Sequence, residues 1–191
     1  MTGKMRAIVM EHPGGPEVLE IRDDWMRPEV APGRVLIRVM AFGLNRGELY
    51  TRLGLSPSVK FPRVLGIECA GLVEAAPDTE FEPGQTVIAT TGGMGRAYDG
   101  GYAEFTSVPA LHVHAVETTL DWIQLAAAPE VFHTAWGALE LSLGIEAGQT
   151  LLIRGGSSAV GLVAADYAKA QGLTVLSTTR DAAKVDRLRD F

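Results

Sequence analysis

The chain has 191 residues, 47% hydrophobic and 21% charged, with a formal net charge of −6, enough for one sizeable core or two small ones. Its acidic balance without basic clusters argues against nucleic-acid binding, and no apolar run has the length of a bilayer span or the form of a secretory signal. The single cysteine, Cys69, excludes an internal disulfide and a cysteine-built structural zinc site, so a reducing, cytoplasmic setting is expected.

Residues 4–110 read as β-rich and are punctuated by glycine and proline. Met5–Met10 is an apolar run ending in the turn His12-Pro13-Gly14-Gly15-Pro16, and Val18–Arg22 follows as a short strand. Val35, Ile37, Val39 and Ala41 alternate with Leu36, Arg38 and Met40, the period of a strand. Asn45–Arg52 is polar, short and tolerant of helix. Glu68–Ala75, Thr86–Thr90 and Tyr102–Val108 read as three more strands, and such spacing predicts a small barrel or sandwich. Cys69 falls within an apolar strand, where an inert buried thiol is expected. His112 and His114 lie two apart on an extended segment, so both point the same way; lacking a third ligand, they decorate a surface.

The character then changes. Asp121 caps a predicted helix through Ala127, Pro129 interrupts, and Val131–Leu143 continues as a helical stretch. The expected domains are 1–125, the β-rich part, and 126–191.

Leu151–Arg180 holds the most informative pattern. Leu151–Arg154 has strand length, and a glycine turn follows it. Val160, Val163, Ala164, Tyr167 and Ala168 then recur at helical spacing. Gly172 stops the helix and Thr174–Thr178 forms a second strand. This is a βαβ unit whose turn lies where the pyrophosphate of a dinucleotide meets a helix N-terminus. The dinucleotide fingerprint G-x-G-x-x-G appears as Gly156-Ser157-Ser158-Ala159-Val160-Gly161, with Ser158 in place of the middle glycine. The turn is either a phosphate cradle, with serine hydroxyls partly offsetting the substitution, or a plain tight turn. The predicted fold class is mixed: a β-rich barrel domain, then an incomplete α/β doubly wound domain.

Four segments in this order resemble the medium-chain dehydrogenase/reductase superfamily. They are Arg38-Val39-Met40-Ala41-Phe42-Gly43-Leu44-Asn45, Gly66-Ile67-Glu68-Cys69-Ala70-Gly71, Gly100-Gly101-Tyr102-Ala103-Glu104-Phe105, and the glycine turn. The resemblance implies a GroES-like first domain and the start of a Rossmann domain. Zinc-dependent members carry cysteine where Asn45 stands and histidine where Ile67 stands. Neither asparagine nor isoleucine replaces those ligands, so the chain resembles the zinc-independent quinone-oxidoreductase branch and no metal is expected. The implied activity is hydride transfer from NADPH to a quinone, enone or related carbonyl compound, in a protein that is dimeric at full length. A non-enzymatic GroES-like module for interaction or oligomerisation is the alternative.

By the same resemblance Asn45 hydrogen-bonds the nicotinamide–ribose end of the cofactor; otherwise it is a turn residue. Tyr50 matches a tyrosine of the substrate pocket, where a phenol donates to an oxygen gaining negative charge, or else it only packs. Thr134 matches a threonine near the nicotinamide, or bonds its own backbone. In the loop Thr91-Gly92-Gly93-Met94-Gly95-Arg96, Met94 offers adaptable apolar surface to a substrate and Arg96 binds an oxyanion, or the loop merely connects strands. Family spacing from Gly172 places Thr179, Arg180 and Lys184 at the 2′-position of the adenosine ribose. A cation there favours NADPH, whereas a one-residue shift would bring Asp181 there and favour NADH.

A full doubly wound sheet of this type has six parallel strands, and two are legible here. The 191 residues are therefore expected to be an inactive piece of a longer enzyme. Leu151, Leu152, Ile153, Val175 and Leu176 are expected to be exposed, with self-association through that surface, partial disorder after about residue 150, or both.

Overall fold

The computed structural model describes residues 3–189. The chain divides into two compact units, Met1–Pro129 and Glu130–Phe191.

In the first unit, β1 (Lys4–Met10) pairs antiparallel with β2 (Glu20–Met26) and with the two-residue β4 (Arg63–Val64). A five-stranded antiparallel sheet is built from β3 (Arg34–Ala41), β5 (Glu68–Ala75), β6 (Thr86–Thr90), β7 (Phe105–Pro109) and β8 (Val113–Ala115), in the order β7-β3-β5-β6-β8. Period-two alternation turns Val35 and Ile37, Cys69 and Val73, Val87 and Ala89 into one core, with Val108 and Val113. Met5, Ala7, Val9, Met10, Val64, Leu65 and Tyr102 form a second core, and Phe42 packs against both.

Two sequence expectations shift. Pro16–Val18 is a 3₁₀ turn, because the proline ring suits the start of a helical turn, and the second strand starts only at Glu20. The regular ladder of β7 begins at Phe105, not Tyr102. Residues 102–104 instead tie the sheets together: the Ile8 N–H donates to Tyr102 O (2.8 Å), Glu104 N–H to Arg6 O (3.0 Å), and Val39 N–H to Glu104 O (2.8 Å). The strands β4 and β8 are too short to leave a periodic signature.

Two helices complete this unit. α1 (Arg46–Arg52) starts at Asn45, which follows the end of β3. α2 (Trp122–Ala126) is capped by Asp121, whose side chain accepts from the Gln124 N–H (2.8 Å) while the Gln124 side chain accepts from the Asp121 N–H (3.3 Å). Leu125 and Ala126 are buried with Ala70 and pack with Ile88.

In the second unit, α3 (Pro129–Trp136) runs on as a π-helical stretch, Gly137–Leu143, closed by Gly144 in the left-handed conformation. β9 (Thr150–Arg154), α4 (Ala159–Ala170) and β10 (Thr174–Thr178) form the βαβ unit, with the two strands parallel and Leu152 opposite Leu176. A 3₁₀ turn, Ala182–Lys184, leads into α5 (Val185–Arg189). The core here is Ala135, Leu139, Ala164, Ala168 and Leu173, with Leu151, Ile153 and Val175 packed against it. Of the five strand residues expected to be exposed, those three are therefore half-buried instead. Of the five, Leu152 and Leu176, on the opposite phase of their strands, face outward at 64% and 53% exposure. No helix among the described residues is long and apolar enough to cross a membrane.

Candidate functional site

Asn45 stands at the junction of β3 and α1, and three residues later Glu48 reaches back so that its Oε2 accepts from the Asn45 backbone N–H (2.5 Å). The other oxygen, Oε1, accepts from the Ile67 N–H (2.9 Å). Glu48 is buried, and that burial holds its carboxyl above the usual carboxylate range although both N–H donors pull it down. The Tyr102 phenol, itself buried and stacked at 4.6 Å on Phe42, is pushed up first by burial and then by the charge of Glu48 and a hydrogen bond to it.

A second buried carboxylate lies alongside. Glu68 opens β5 opposite Thr90 of β6, and its Oε1 accepts from Asn45 Nδ2 at 2.6 Å. Its place is created by Gly43: a Cβ there would lie 1.9 Å from Glu68 Oε1 and 3.1 Å from the backbone oxygen of Ala126. Thr90 is buried, and its hydroxyl has no hydrogen-bond partner among the described residues. Burial and the charge of Glu68 push the neighbouring Cys69 thiol up to about 12. Asn45, Glu48, Glu68 and Tyr102 are thus one network of polar side chains, mostly buried. Sequence reasoning singled out Asn45 alone. The readable signal was the N-x-x-E spacing of Asn45 and Glu48, the pattern of a capped helix start.

Around this network the other expected residues are unequally placed. Tyr50 lies on α1, 44% exposed. Arg96 is exposed, with Nη2 3.1 Å from where a Cβ on Gly47 would lie, beside the first turn of α1. Met94 corrects its expectation: at 1% exposure it is part of the core with Cys69 and Val87, and it offers no surface to a ligand. The loop turns inward there through Thr91, Gly92, Gly93 and Gly95, all at positive φ, including +59° at the β-branched Thr91. The expectation that His112 and His114 point the same way also fails, because His112 ends a 3₁₀ turn with its ring against Gly92 while His114 lies in β8. Among the described residues no group of three or more His, Cys, Asp or Glu is placed to hold a metal ion.

In the second unit the glycine turn is tightly made. Gly156 donates to Thr178 O (2.9 Å) and Gly155 to Thr178 Oγ1 (3.2 Å). A Cβ on Gly156 would lie 2.6 Å from that of Ser177, and one on Gly161 would lie 2.7 Å from Gly155 O, so both ends of the fingerprint require glycine. Ser158, in the middle position, has extended backbone that any residue adopts, and its Oγ caps α4 by accepting from the Gly161 N–H (3.1 Å). Ala159 and Val160 follow as the first turn of α4. Ser157 Oγ meets Thr179 Oγ1 at 3.4 Å, bringing the turn and the end of β10 together. Thr179 Oγ1 also accepts from the Asp181 N–H (3.2 Å). Arg180 is exposed, and Lys184 Nζ lies 3.9 Å from Asp181 Oδ2. A hollow of 260 Å³ is lined by Ser157, Leu162, Lys184 and Leu188. Thr134, on α3, is exposed and donates to Glu130 Oε1 (3.2 Å).

Residues 31–118 match the alcohol dehydrogenase GroES-like domain. The chain is similar to the human (Homo sapiens) protein quinone oxidoreductase, at 37% identity over 177 residues that make up 91% of this chain and 52% of the relative. An alcohol dehydrogenase superfamily protein from Novosphingobium aromaticivorans has a similar structure, with a TM-score of 0.89 at 35% identity over 97% of this chain and 56% of that one. A mycobacterial protein whose structure was solved in complex with NADPH has a TM-score of 0.83 at 31% identity, over 97% of this chain and 55% of that one. The chain spans about half the length of the curated relatives it matches. With its β-rich GroES-like unit and the βαβ unit that follows, it belongs to the medium-chain dehydrogenase/reductase superfamily, in the quinone oxidoreductase-like branch.

Proposed function

We propose that the chain is part of an NADPH-dependent oxidoreductase that reduces a quinone, enone or related carbonyl compound without zinc. The observation that carries this reading is the contact between Ser157 and Thr179, which joins the glycine turn to the end of β10, with Arg180 next in sequence. The residues present suit a dinucleotide: Gly156 and Gly161 leave no room for a Cβ, and Ser158 takes the Gly161 N–H. The Ala159 and Val160 N–H groups then lie in the first turn, where helix N–H groups lack intrahelical partners and attract phosphate. Thr179, Arg180 and Lys184 would hold the 2′-phosphate, Arg180 through its planar fork of donors. Thr134 would approach the nicotinamide.

NADPH, when bound, supplies a hydride. The work of the chain is to orient and to stabilise charge. Asn45, anchored on Glu68, would hold the nicotinamide–ribose end. The exposed Tyr50 Oη would donate to the substrate oxygen as negative charge builds on it, and Arg96 would attract the same oxygen. We place the protein in the cytoplasm and take its longer form to be a homodimer. Asn45 and Ile67 offer no thiolate or imidazole, so elemental analysis of dialysed protein should find no stoichiometric zinc; one zinc per chain would overturn that part.

Thermal unfolding with added cofactor tests the reading. A ligand bound only to the folded state stabilises by about 2.7 kcal/mol at one hundred times its Kd. NADPH should raise Tm more than NADH at equal concentration. No rise with either would favour the non-enzymatic module.

A further inference from the structure

An unused pair of charges lies beside α1. In the first unit Arg6, Arg22, Arg27 and Arg63 pair with carboxylates, and Arg34 and Arg52 donate to backbone oxygens. The side chains of Arg46 and Arg96 have no ion pair or hydrogen bond among the described residues, and the same holds for Arg38 in the middle of β3.

Arg96 is nonetheless held in place. Met94 anchors its loop in the core, a Cβ on Gly95 would lie 2.8 Å from Gly66 O, and the Arg96 N–H donates to Gly93 O (3.1 Å). Its guanidinium lies against the space that Gly47 leaves open, and Ile67 Cδ1 bounds the same space, 3.7 Å from where a Cβ would lie. Arg46 precedes Gly47, and Tyr50 stands one turn on, so the three share a helix face. The one carboxylate of α1, Glu48, is spent elsewhere: it is buried and accepts from the Asn45 and Ile67 N–H groups.

Two unpaired guanidiniums rooted at one spot, on a chain of net charge −6, suit a local anion. A guanidinium presents a planar fork of donors that matches the two oxygens of a carboxylate. Phosphate is less well served. The backbone N–H groups of Arg96 and Glu48 are taken by Gly93 O and Asn45 O (3.1 and 3.2 Å), so they are not free to meet a third oxygen.

We propose that Arg96, assisted by Arg46, is a specificity-determining residue that takes a carboxylate of the substrate. The quinone, enone or carbonyl compound reduced is then an anionic one. Its carboxylate lies close enough to the reacting oxygen for one guanidinium, with its several donors, to serve both. This rests on the reading of Tyr50 and Arg96 as substrate contacts, and it narrows their substrate to oxo acids and quinone carboxylates.

The test is a titration of the isotope-labelled 191-residue chain followed by nuclear magnetic resonance, with and without NADPH. The probes are 3-benzoylpropionate, the saturated counterpart of an enone carboxylate, and its neutral amide, 3-benzoylpropionamide. The carboxylate should move the signals of α1 and of residues 91–96, and should bind about tenfold tighter than the amide or better, the effect of one charge-assisted contact. Arg96→Met should remove that preference and leave the Kd of the amide unchanged. Arg46→Met should reduce the preference, and Arg38→Met should leave it intact. Rising salt should weaken the carboxylate alone. Equal binding of the two probes would overturn the proposal, as would a preference that survives Arg96→Met or is lost equally in Arg38→Met, or an absence of movement at α1 with either probe. The rise in Tm with NADPH does not involve Arg96. That rise without a carboxylate preference is a failure of the anion site alone, whereas the absence of both is a failure of the oxidoreductase reading.

Discussion

Gly43 and Glu68 share one space: a Cβ on Gly43 would sit 1.9 Å from the Glu68 carboxylate, with the backbone of Ala126 closing the other side. A glycine that precedes the site by two residues therefore makes room for the carboxylate that holds Asn45. Gly43→Ala must push Glu68 aside or move the backbone. Overpacking of this kind costs about 1–3 kcal/mol. Chemical denaturation should show a loss in that range; full stability would show that the space is not occupied as described.

Glu48 gives the fold a pH dependence whose sign follows from its burial. Its carboxyl is held above the ordinary value of about 4.3. A raised folded-state pKa favours the protonated form, so its contribution is fully present below the unfolded pKa and is lost as pH rises through the folded pKa. Glu48→Gln removes the titration and leaves an amide facing backbone donors, a cost of about 1–3 kcal/mol where one N–H is left unpaired. The stability gap between parent and variant should narrow as pH rises from 4 to 7. A gap that widens would mean that the Asn45 and Ile67 N–H groups outweigh burial.

Cys69 should be chemically silent in the folded chain. Its thiol is fully buried and pushed up to about 12, so neither access nor thiolate is available at pH 8. Ellman's reagent should react in denaturant and hardly at all in native buffer. Rapid native reaction would place Cys69 at an opening.

Thr91 carries backbone strain. A β-branched residue at φ +59° is a rare conformer that costs on the order of 1–2 kcal/mol. Thr91→Gly should raise stability by about 1 kcal/mol, and Thr91→Ala should not reproduce the gain. Equal effects of the two substitutions would locate the effect in the side chain.

Arg180 is the proposed reader of the 2′-phosphate. In a longer form of the enzyme, Arg180→Ala should weaken NADPH by roughly one to two decades in affinity and NADH hardly at all, the loss expected for a charge-assisted contact. Equal weakening would show that Arg180 does not distinguish them.

Local patterning carried much of the fold. Alternating apolar residues put Glu68–Ala75 and Thr86–Thr90 in strands with the expected bounds, and helical spacing after the glycine turn located α4. These are short-range properties: each residue's side follows from a period of two or 3.6. The local caps could be read from spacing, but the long-range partners of the polar side chains were not legible, because they come from distant positions. Glu48 is satisfied by Ile67, Asn45 by Glu68, and Ser157 meets Thr179, pairs 19, 23 and 22 residues apart. Met94 likewise looks like loop surface in sequence, since only the tertiary course of residues 91–96 turns it into the core. The sequence alone determined which residues alternate, cap and turn. The tertiary structure decided which buried polar atoms meet, because burial leaves them no water and makes each depend on whatever the folded chain brings alongside.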